Sequence, residues 1–364
     1  MTSAMTREGS YPLRLRAVMK DKVWGGRNLE RLLGKSLPPG AQIGETWEAW
    51  EGCVIENGAH QGRTLQSLID RDPEGILGSA DEKRFPLLFK FIDAHQDLSV
   101  QVHPDDARAQ SMEYQPFGKT EAWYILDAEP GAALILGFKH DVKLEEVVAG
   151  IQNKTLVDLL AFVPVRTGDV VLVPAGTVHA IGRGIVLAEI QENSDITYRL
   201  YDWDRQNKGR ELHIEQSLRV LAGKHIPEPK IPSIKLRRAQ FDEQFLVACR
   251  YFALTHWKLD QRADGLTTNG KFQILSIIDG VADVLFGPRF ASSLSVGQGQ
   301  TLVLPASLGA YSISPVKPCK ILRAFVPDLK KEIVDPLLQA GYDAATIRRL
   351  GGSIADRNDF TPLL

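Results

Sequence analysis

Between Phe85 and Arg199 the chain reads FPLLFKF (Phe85–Phe91), LSVQVH (Leu98–His103), EAWYIL (Glu121–Leu126), AALILGF (Ala132–Phe138), DVVLVP (Asp169–Pro174) and GIVLAEI (Gly184–Ile190). These are short apolar or alternating runs, punctuated by Gly and Pro. Such spacing predicts many short strands, and hence a sandwich or barrel. Two helical interruptions are expected to cover barrel edges. One runs from Thr64 to Arg71, with Thr64 capping its first turn, and the other from roughly Lys143 to Leu160, where apolar residues fall at helical spacing.

Downstream, KHIPEPKIPS (Lys224–Ser233) holds three prolines, each fixing φ and removing a donor, so it predicts an extended linker. Strand-like runs then resume with FALTHWKL, FQILSIIDG, VADVLFG and QTLVLPA. A weak internal repeat accompanies them: Gly168, Pro174 and Gly176 in RTGDVVLVPAG align with Gly299, Pro305 and Ser307 in GQGQTLVLPAS. That is a turn glycine, a buried strand and a proline-led turn at the same offsets. The alignment puts Ala310 opposite His179, so the second copy lacks a residue that can hold a metal. The expected layout is mainly β. A catalytic barrel domain over 1–223 includes the N-terminal segment and a small helical insert, and a linker covers 224–235. A second, metal-free barrel covers 236–328, and a helical C-terminal extension covers 329–364, with Gly341 and Gly351 as helix stops.

A chain of 364 residues with 44% hydrophobic composition is long enough for two buried cores. Its net charge of -2 provides no global field to gather nucleic acid or an anionic membrane, so an anion must be held locally. No apolar run reaches the roughly 20 residues needed to cross a bilayer, and MTSAMTREGS lacks an apolar signal core, which predicts a cytoplasmic protein. Cys53, Cys249 and Cys319 are widely separated with no CxxC spacing, as expected of buried free thiols rather than a disulfide framework or a thiolate metal site.

The chemistry begins at QVHPDD. Gln101 and His103 lie two apart at the end of a strand, and residues two apart share a face, so both can enter one cavity. In GKTEAWYIL, Lys119 and Glu121 repeat that spacing and can bring an amine and a carboxylate into the same pocket, an arrangement that burial penalises unless the charges are paired or metal-bound; an exposed edge pair is the alternative. In PAGTVHAI the Pro174–Gly176 turn fixes the direction of His179. Two imidazoles, a carboxylate and an amide oxygen suit zinc with an open coordination position, and the set leaves a net positive centre able to polarise a sugar oxygen. Arg199, in QENSDITYRLYDWDR, follows His179 by 20 residues. It can return to the cavity to stabilise an oxyanion or hold a phosphate. Pairing with Asp195 or Asp202 on the surface is the alternative.

These residues resemble a known family. VWGG (Val23–Gly26), IGETWE (Ile43–Glu48), PLLFKFIDAHQDLSVQVHPDD (Pro86–Asp106), GKTEAWYIL, PAGTVHAI and QENSDITYRLYDWDR are similar to the short bacterial form of type I mannose-6-phosphate isomerase over about Leu15 to Asp328. The resemblance implies two cupin-type jelly-roll barrels and one Zn2+ per chain, bound by Gln101, His103, Glu121 and His179. It implies a catalytic Arg199 and a Lys119 active in proton transfer or phosphate contact. The substrate it implies is a hexose phosphate, and Trp24 and Glu48 are expected at the pocket mouth beside Lys119 and Arg199. For Trp24 and Trp47, core packing is the other role. The C-terminal stretch after Asp328 is longer than that form requires, and the chain is expected to be a monomer or homodimer.

Aldose–ketose conversion moves a proton between adjacent carbons through an enediol and needs a base and an oxyanion stabiliser. Zinc and Arg199 can supply the second. Lys119, a metal-bound hydroxide or Glu121 can supply the first. Two other readings remain. A dioxygen-activating metal cupin would carry three histidines and iron, and Gln101 argues against it. A non-catalytic sugar-phosphate-binding cupin would not require Lys119 and Arg199 beside intact ligands.

Overall fold

The computed structural model describes residues 10–205 and 211–364. Residues 1–9, read above for a signal core, and 206–210 lie outside the described residues. Among the described residues the strands form three antiparallel sheets, of six, five and ten strands, so the chain is mainly β, as expected. Helices are short and peripheral.

The six-stranded sheet has Leu87–Ala94 near its centre, between Ile43–Ala49 and Ile185–Glu192, with Glu121–Ala128 and Val170–Val173 beyond. Every residue of Leu87–Ala94 and of Ile185–Glu192 is buried, because both faces of the sheet are covered. Leu87, Phe89 and Phe91, with Val186, Ala188 and Ile190, pack into a core shared with Phe245, Phe252 and Phe325 from the second half. The alternate residues Ile92, Trp123, Ile125 and Leu187 pack inward with Leu134 and Leu136 of the five-stranded sheet. Side chains alternate across a strand, so Lys90, Glu121 and Glu189 share that inner face.

The five-stranded sheet runs Tyr198–Tyr201, Val100–Val102, His179–Ile181, Ala133–Phe138, Leu160–Pro164 in space. Its outer face is covered by the helices Leu144–Gln152 and Leu156–Leu159, through Val147 and Leu156 against Phe138, Ala180 and Leu200. The single helix expected over Lys143 to Leu160 is broken at Asn153–Thr155, where Lys154 has φ 59°. Thr64 caps Leu65–Ile69, accepting from the Ser67 amide as expected.

The ten-stranded sheet is built largely from residues after Ile234. It centres on two long strands, Gln273–Phe286 and Ala310–Phe325, which pair along their length through several bulges. Leu13–Arg16 pairs with Thr301–Leu304, and Val54–Ile55 pairs in turn with Leu13–Arg16. The N-terminal segment, assigned above wholly to the first domain, therefore contributes strands to the sheet of the second half; Leu13 and Leu15 are the buried residues that fix it there.

The repeat is legible in the backbone. Gly168 and Gly299 both have positive φ, 92° and 76°, and each lies two residues before its strand, Val170–Val173 or Thr301–Leu304. Ala310 is exposed at the start of its strand where the first copy buries His179. Residues 224–233 pass along the first half, with bridges from His225 to Phe138 and from Lys230 to Val171 and a bend at 227–228, and Ile226 and Ile231 are buried. The C-terminal extension packs back on the body: Ile333, Leu337, Ile347, Leu350 and Phe360 join the shared core. No helix of the described residues is long and apolar enough to cross a membrane.

Candidate metal centre and substrate cavity

The sheet register assembles one wall of the site. Gln101 stands opposite His179 on one side and opposite Arg199 on the other, and residues directly opposite in a ladder share a face. His179, Gln101 and Arg199 thus form a row pointing inward. His103 follows the end of the same strand, and Glu121 enters from the facing sheet between Val173 and Gln191.

The Pro174–Gly176 turn ties this wall together, because the Gly176 amide donates to the His103 carbonyl at 2.8 Å. Gly176 has φ 82°, and a Cβ there would sit 2.8 Å from the Val220 carbonyl oxygen. Gly176→Ala is expected to destabilise the protein by about 1–3 kcal/mol through this strained backbone, read as a lower denaturant midpoint; an unchanged midpoint would contradict the placement.

His103, Glu121 and His179 are buried, at 1%, 0% and 0% exposure, and their ligand atoms lie within 4.8 Å of one another. The His103 Nδ1–H donates to the Ile196 carbonyl at 2.7 Å and the His179 Nδ1–H to the Thr177 carbonyl at 2.8 Å. Each ring therefore turns its Nε2 into the cavity. Burial, then the neighbouring Lys119 charge, holds the His103 pKa well below the usual histidine range, the neutral form a metal-binding imidazole requires.

Burial pushes the Glu121 carboxyl up, but the Lys119 ammonium beside it outweighs that and holds the group well below the usual carboxylate range. Lys119 donates to Glu121 Oε2 and lies 3.1 Å from His103 Nε2. Glu121 Oε1 remains buried with no hydrogen-bond donor, 3.1 Å from His179 Nε2. Two lone pairs facing one another at that distance, inside protein, call for a cation between them. The amide of Gln101 reaches His179 Nε2 at 3.2 Å, and a half-turn of that amide presents its oxygen at the same place. The donor set fits a divalent metal of zinc type.

Above the cluster opens a cavity of about 330 Å³, lined by Lys20, Lys22, Trp24, Glu45, Trp47, Lys90, Ser99, Gln101, Lys119, Glu189, Asp195 and Arg199 among others. A wider surface cleft of about 660 Å³ lies on the second half. It is lined by surface ion pairs such as Arg237–Asp242 and Lys320–Asp279, and the one metal-ligating cluster among the described residues lies elsewhere.

Comparison with known proteins bears on the same residues. The family description "Phosphomannose isomerase type I, catalytic domain" matches residues 13–135, and "Mannose-6-phosphate isomerase, cupin domain" matches 242–325. The mannose-6-phosphate isomerase ManA of Bacillus subtilis (strain 168) is 37% identical over 322 residues, covering 85% of this chain and 97% of that relative. The chain belongs to the type I mannose-6-phosphate isomerase family. It is an isomerase with a cupin domain. The mannose-6-phosphate isomerase of Streptococcus mutans is 35% identical across 82% of this chain and 94% of its own length. The crystal structure of the Bacillus subtilis mannose 6-phosphate isomerase superposes with a TM-score of 0.78 at 31% identity, covering 86% of this chain and 99% of that one.

Within this mannose-6-phosphate isomerase scaffold, Gln101, His103, Lys119, Glu121 and His179 converge, Arg199 lines the cavity, and Trp24 is a buried part of its wall. Arg199 donates from Nη1 to the Glu211 carbonyl at 2.9 Å, and Asp202 meets Arg205 at 3.1 Å. Glu48 is a correction. Its side chain is buried on the opposite face of Ile43–Ala49, 2.6 Å from the Lys35 ammonium and 3.3 Å from the Thr301 hydroxyl, so it cannot reach the cavity. Strand alternation gives the cavity Glu45 and Trp47 instead.

The residues missed by the sequence reading are Lys20, Lys22, Glu45, Lys90 and Glu189. Lys90 lies 2.9 Å from Glu189 and 3.8 Å from Glu45. Burial alone would lower its pKa, but the two carboxylates outweigh that and raise it. Burial opposes ionisation of Glu45 too, yet Lys90 and then Lys22 bring its pKa down to about 2. A lysine inside LLFKFIDA and a glutamate inside IVLAEIQE were the available signals, because a charge in an otherwise apolar strand requires a polar partner.

Proposed function

We propose that this chain interconverts mannose-6-phosphate and fructose-6-phosphate, using one zinc ion held by Gln101, His103, Glu121 and His179. The observation that carries the reading is the convergence of three buried side chains able to hold a metal, His103, Glu121 and His179, beneath a cavity rich in cations, in a chain that is 37% identical to a mannose-6-phosphate isomerase. When bound, zinc supplies a Lewis acid that polarises a sugar oxygen.

The other steps fall to the chain's own residues. Lys119, with its nitrogen beside His103 Nε2 and Glu121, is assigned to proton transfer between the adjacent carbons of an enediol, a step in which it must enter as the neutral amine, take the proton from one carbon and return it to the other. Arg199, in register with Gln101, is assigned to the negative oxygen that develops as the proton leaves. Five cations line the cavity, Lys20, Lys22, Lys90, Lys119 and Arg199, against Glu45, Glu189 and Asp195. That excess suits a phosphate-bearing sugar. Trp24 and Trp47 form an apolar wall against which a sugar ring can lie.

A coupled assay on metal-stripped and zinc-restored protein, run across a panel of hexose phosphates, tests the reading. Turnover of mannose-6-phosphate is expected to disappear on complete stripping and return with zinc. Full activity in metal-free protein would refute it.

A further inference from the structure

Glu192 ends the strand Ile185–Glu192, is 2% exposed, and has no part in the chemistry assigned above. Its Oε1 accepts from the Thr120 amide at 2.7 Å. Its Oε2 is buried with no donor, beside the Asp106 carboxyl. Asp106 in turn accepts from the Gly118 amide at 2.7 Å and from the Tyr251 hydroxyl at 3.2 Å. The amide between them, Lys119 N–H, donates to the Pro104 carbonyl at 2.9 Å. Three successive amides of Gly118, Lys119 and Thr120 are therefore held, two of them by acidic side chains, immediately before Glu121.

Two carboxyl groups side by side, Glu192 buried and Asp106 half-buried, are costly to ionise together. The orphaned Oε2 is explained if it carries a proton and donates to Asp106, which then accepts from all three neighbours. Burial, with the Asp106 charge adding to it, pushes Glu192 up to about 8, in keeping with that arrangement. Tyr251 lies between the strands Asp242–Ala248 and Ala253–Leu259 of the ten-stranded sheet, so the cluster also links the second half of the chain to the site.

We propose that Glu192, through a hydrogen-bonded cluster with Asp106 and Tyr251, is a positioning residue that fixes the Gly118–Thr120 backbone and thereby sets where Lys119 and Glu121 stand. Its importance for turnover rests on the isomerase reading above, whereas its effect on the backbone does not. A displaced Lys119 or Glu121 removes an aligned geometry, and misplacement of about 1 Å can lower turnover on the order of 10²-fold.

The test compares Glu192→Ala, Glu192→Gln and Tyr251→Phe in the full-length, zinc-loaded protein, by amide hydrogen exchange of the peptides covering Gly118 to Glu121 and by kcat and KM for mannose-6-phosphate. Glu192→Ala is expected to speed exchange in those peptides while leaving the rest of the protein unchanged, and to lower kcat tenfold or more with KM little altered. Glu192→Gln accepts from Thr120 and donates to Asp106 as the acid does, so it is expected to restore both. Tyr251→Phe is expected to speed exchange at Gly118 and lower kcat about fivefold, which keeps a test available if the alanine variant does not fold. Glu192→Gln as impaired as Glu192→Ala would overturn the proposal, and so would unchanged exchange in the alanine and phenylalanine variants. An inactive wild type with the expected exchange pattern would sink the isomerase reading and leave the positioning role standing.

Discussion

Glu121→Ala is expected to purify with little zinc and little activity. Glu121 is the one anionic donor in the proposed set: one of its oxygens accepts from Lys119 and the other lies 3.1 Å from His179 Nε2. Its removal leaves the buried Lys119 ammonium with His103 Nε2 and the more distant Glu189 carboxylate, at 3.7 Å, and takes the negative charge from the proposed metal site. Loss of a residue that merely supports a ligand weakens metal binding by about 10–100-fold, and loss of the anionic ligand itself is expected to exceed that. Elemental analysis after dialysis reads the effect directly. Zinc content equal to that of the parent protein would show that the site is misplaced.

Arg199→Ala gives the complementary outcome, with zinc retained and turnover lost. Arg199 faces the cavity from the strand Tyr198–Tyr201, beside Gln101 rather than inside the ligand cluster. Removing a pre-aimed donor to a developing oxyanion lowers kcat by about 10²–10³-fold, or roughly 3–4 kcal/mol. Arg199→Lys is expected to recover little, because a lysine lacks the planar, two-pronged donor geometry. A wild-type kcat in the alanine variant would remove Arg199 from the mechanism. Together the two variants separate metal retention from turnover, which no single substitution does.

The convergence of Gln101, His103, Lys119, Glu121 and His179 on one cavity could be anticipated from the sequence because strand geometry carries that information locally. Gln101 and His103, and Lys119 and Glu121, are pairs at the strand spacing, and the Pro174–Gly176 turn fixes His179. The repeat around Gly168 and Gly299 was legible for the same reason, since turn glycine, buried strand and proline occupy few residues. Glu48 failed on a one-residue ambiguity. IGETWE alternates without a break between two buried faces, so its pattern does not say whether Glu45 or Glu48 points to the cavity; packing of the opposite face against Lys35 and Thr301 decides it.

Long-range pairing was invisible for a different reason. Leu13–Arg16 joins Thr301–Leu304 across nearly the whole chain, and nothing in LRLR names its partner. The carboxyl cluster of Glu192 and Asp106 was likewise hidden, because each residue alone resembles a solvated acid until the fold buries Glu192 beside the half-buried Asp106. The polar partners of Lys90 come from strands far apart in sequence, Ile43–Ala49 and Ile185–Glu192.

Zinc K-edge X-ray absorption on the purified protein probes the convergence of Gln101, His103, Glu121 and His179 most directly. The expected spectrum shows zinc in a shell of nitrogen and oxygen donors at about 2.0–2.2 Å, with the outer-shell scattering of two imidazole rings and no sulfur. A spectrum with thiolate scattering, or without imidazole rings, would contradict the assignment of the site.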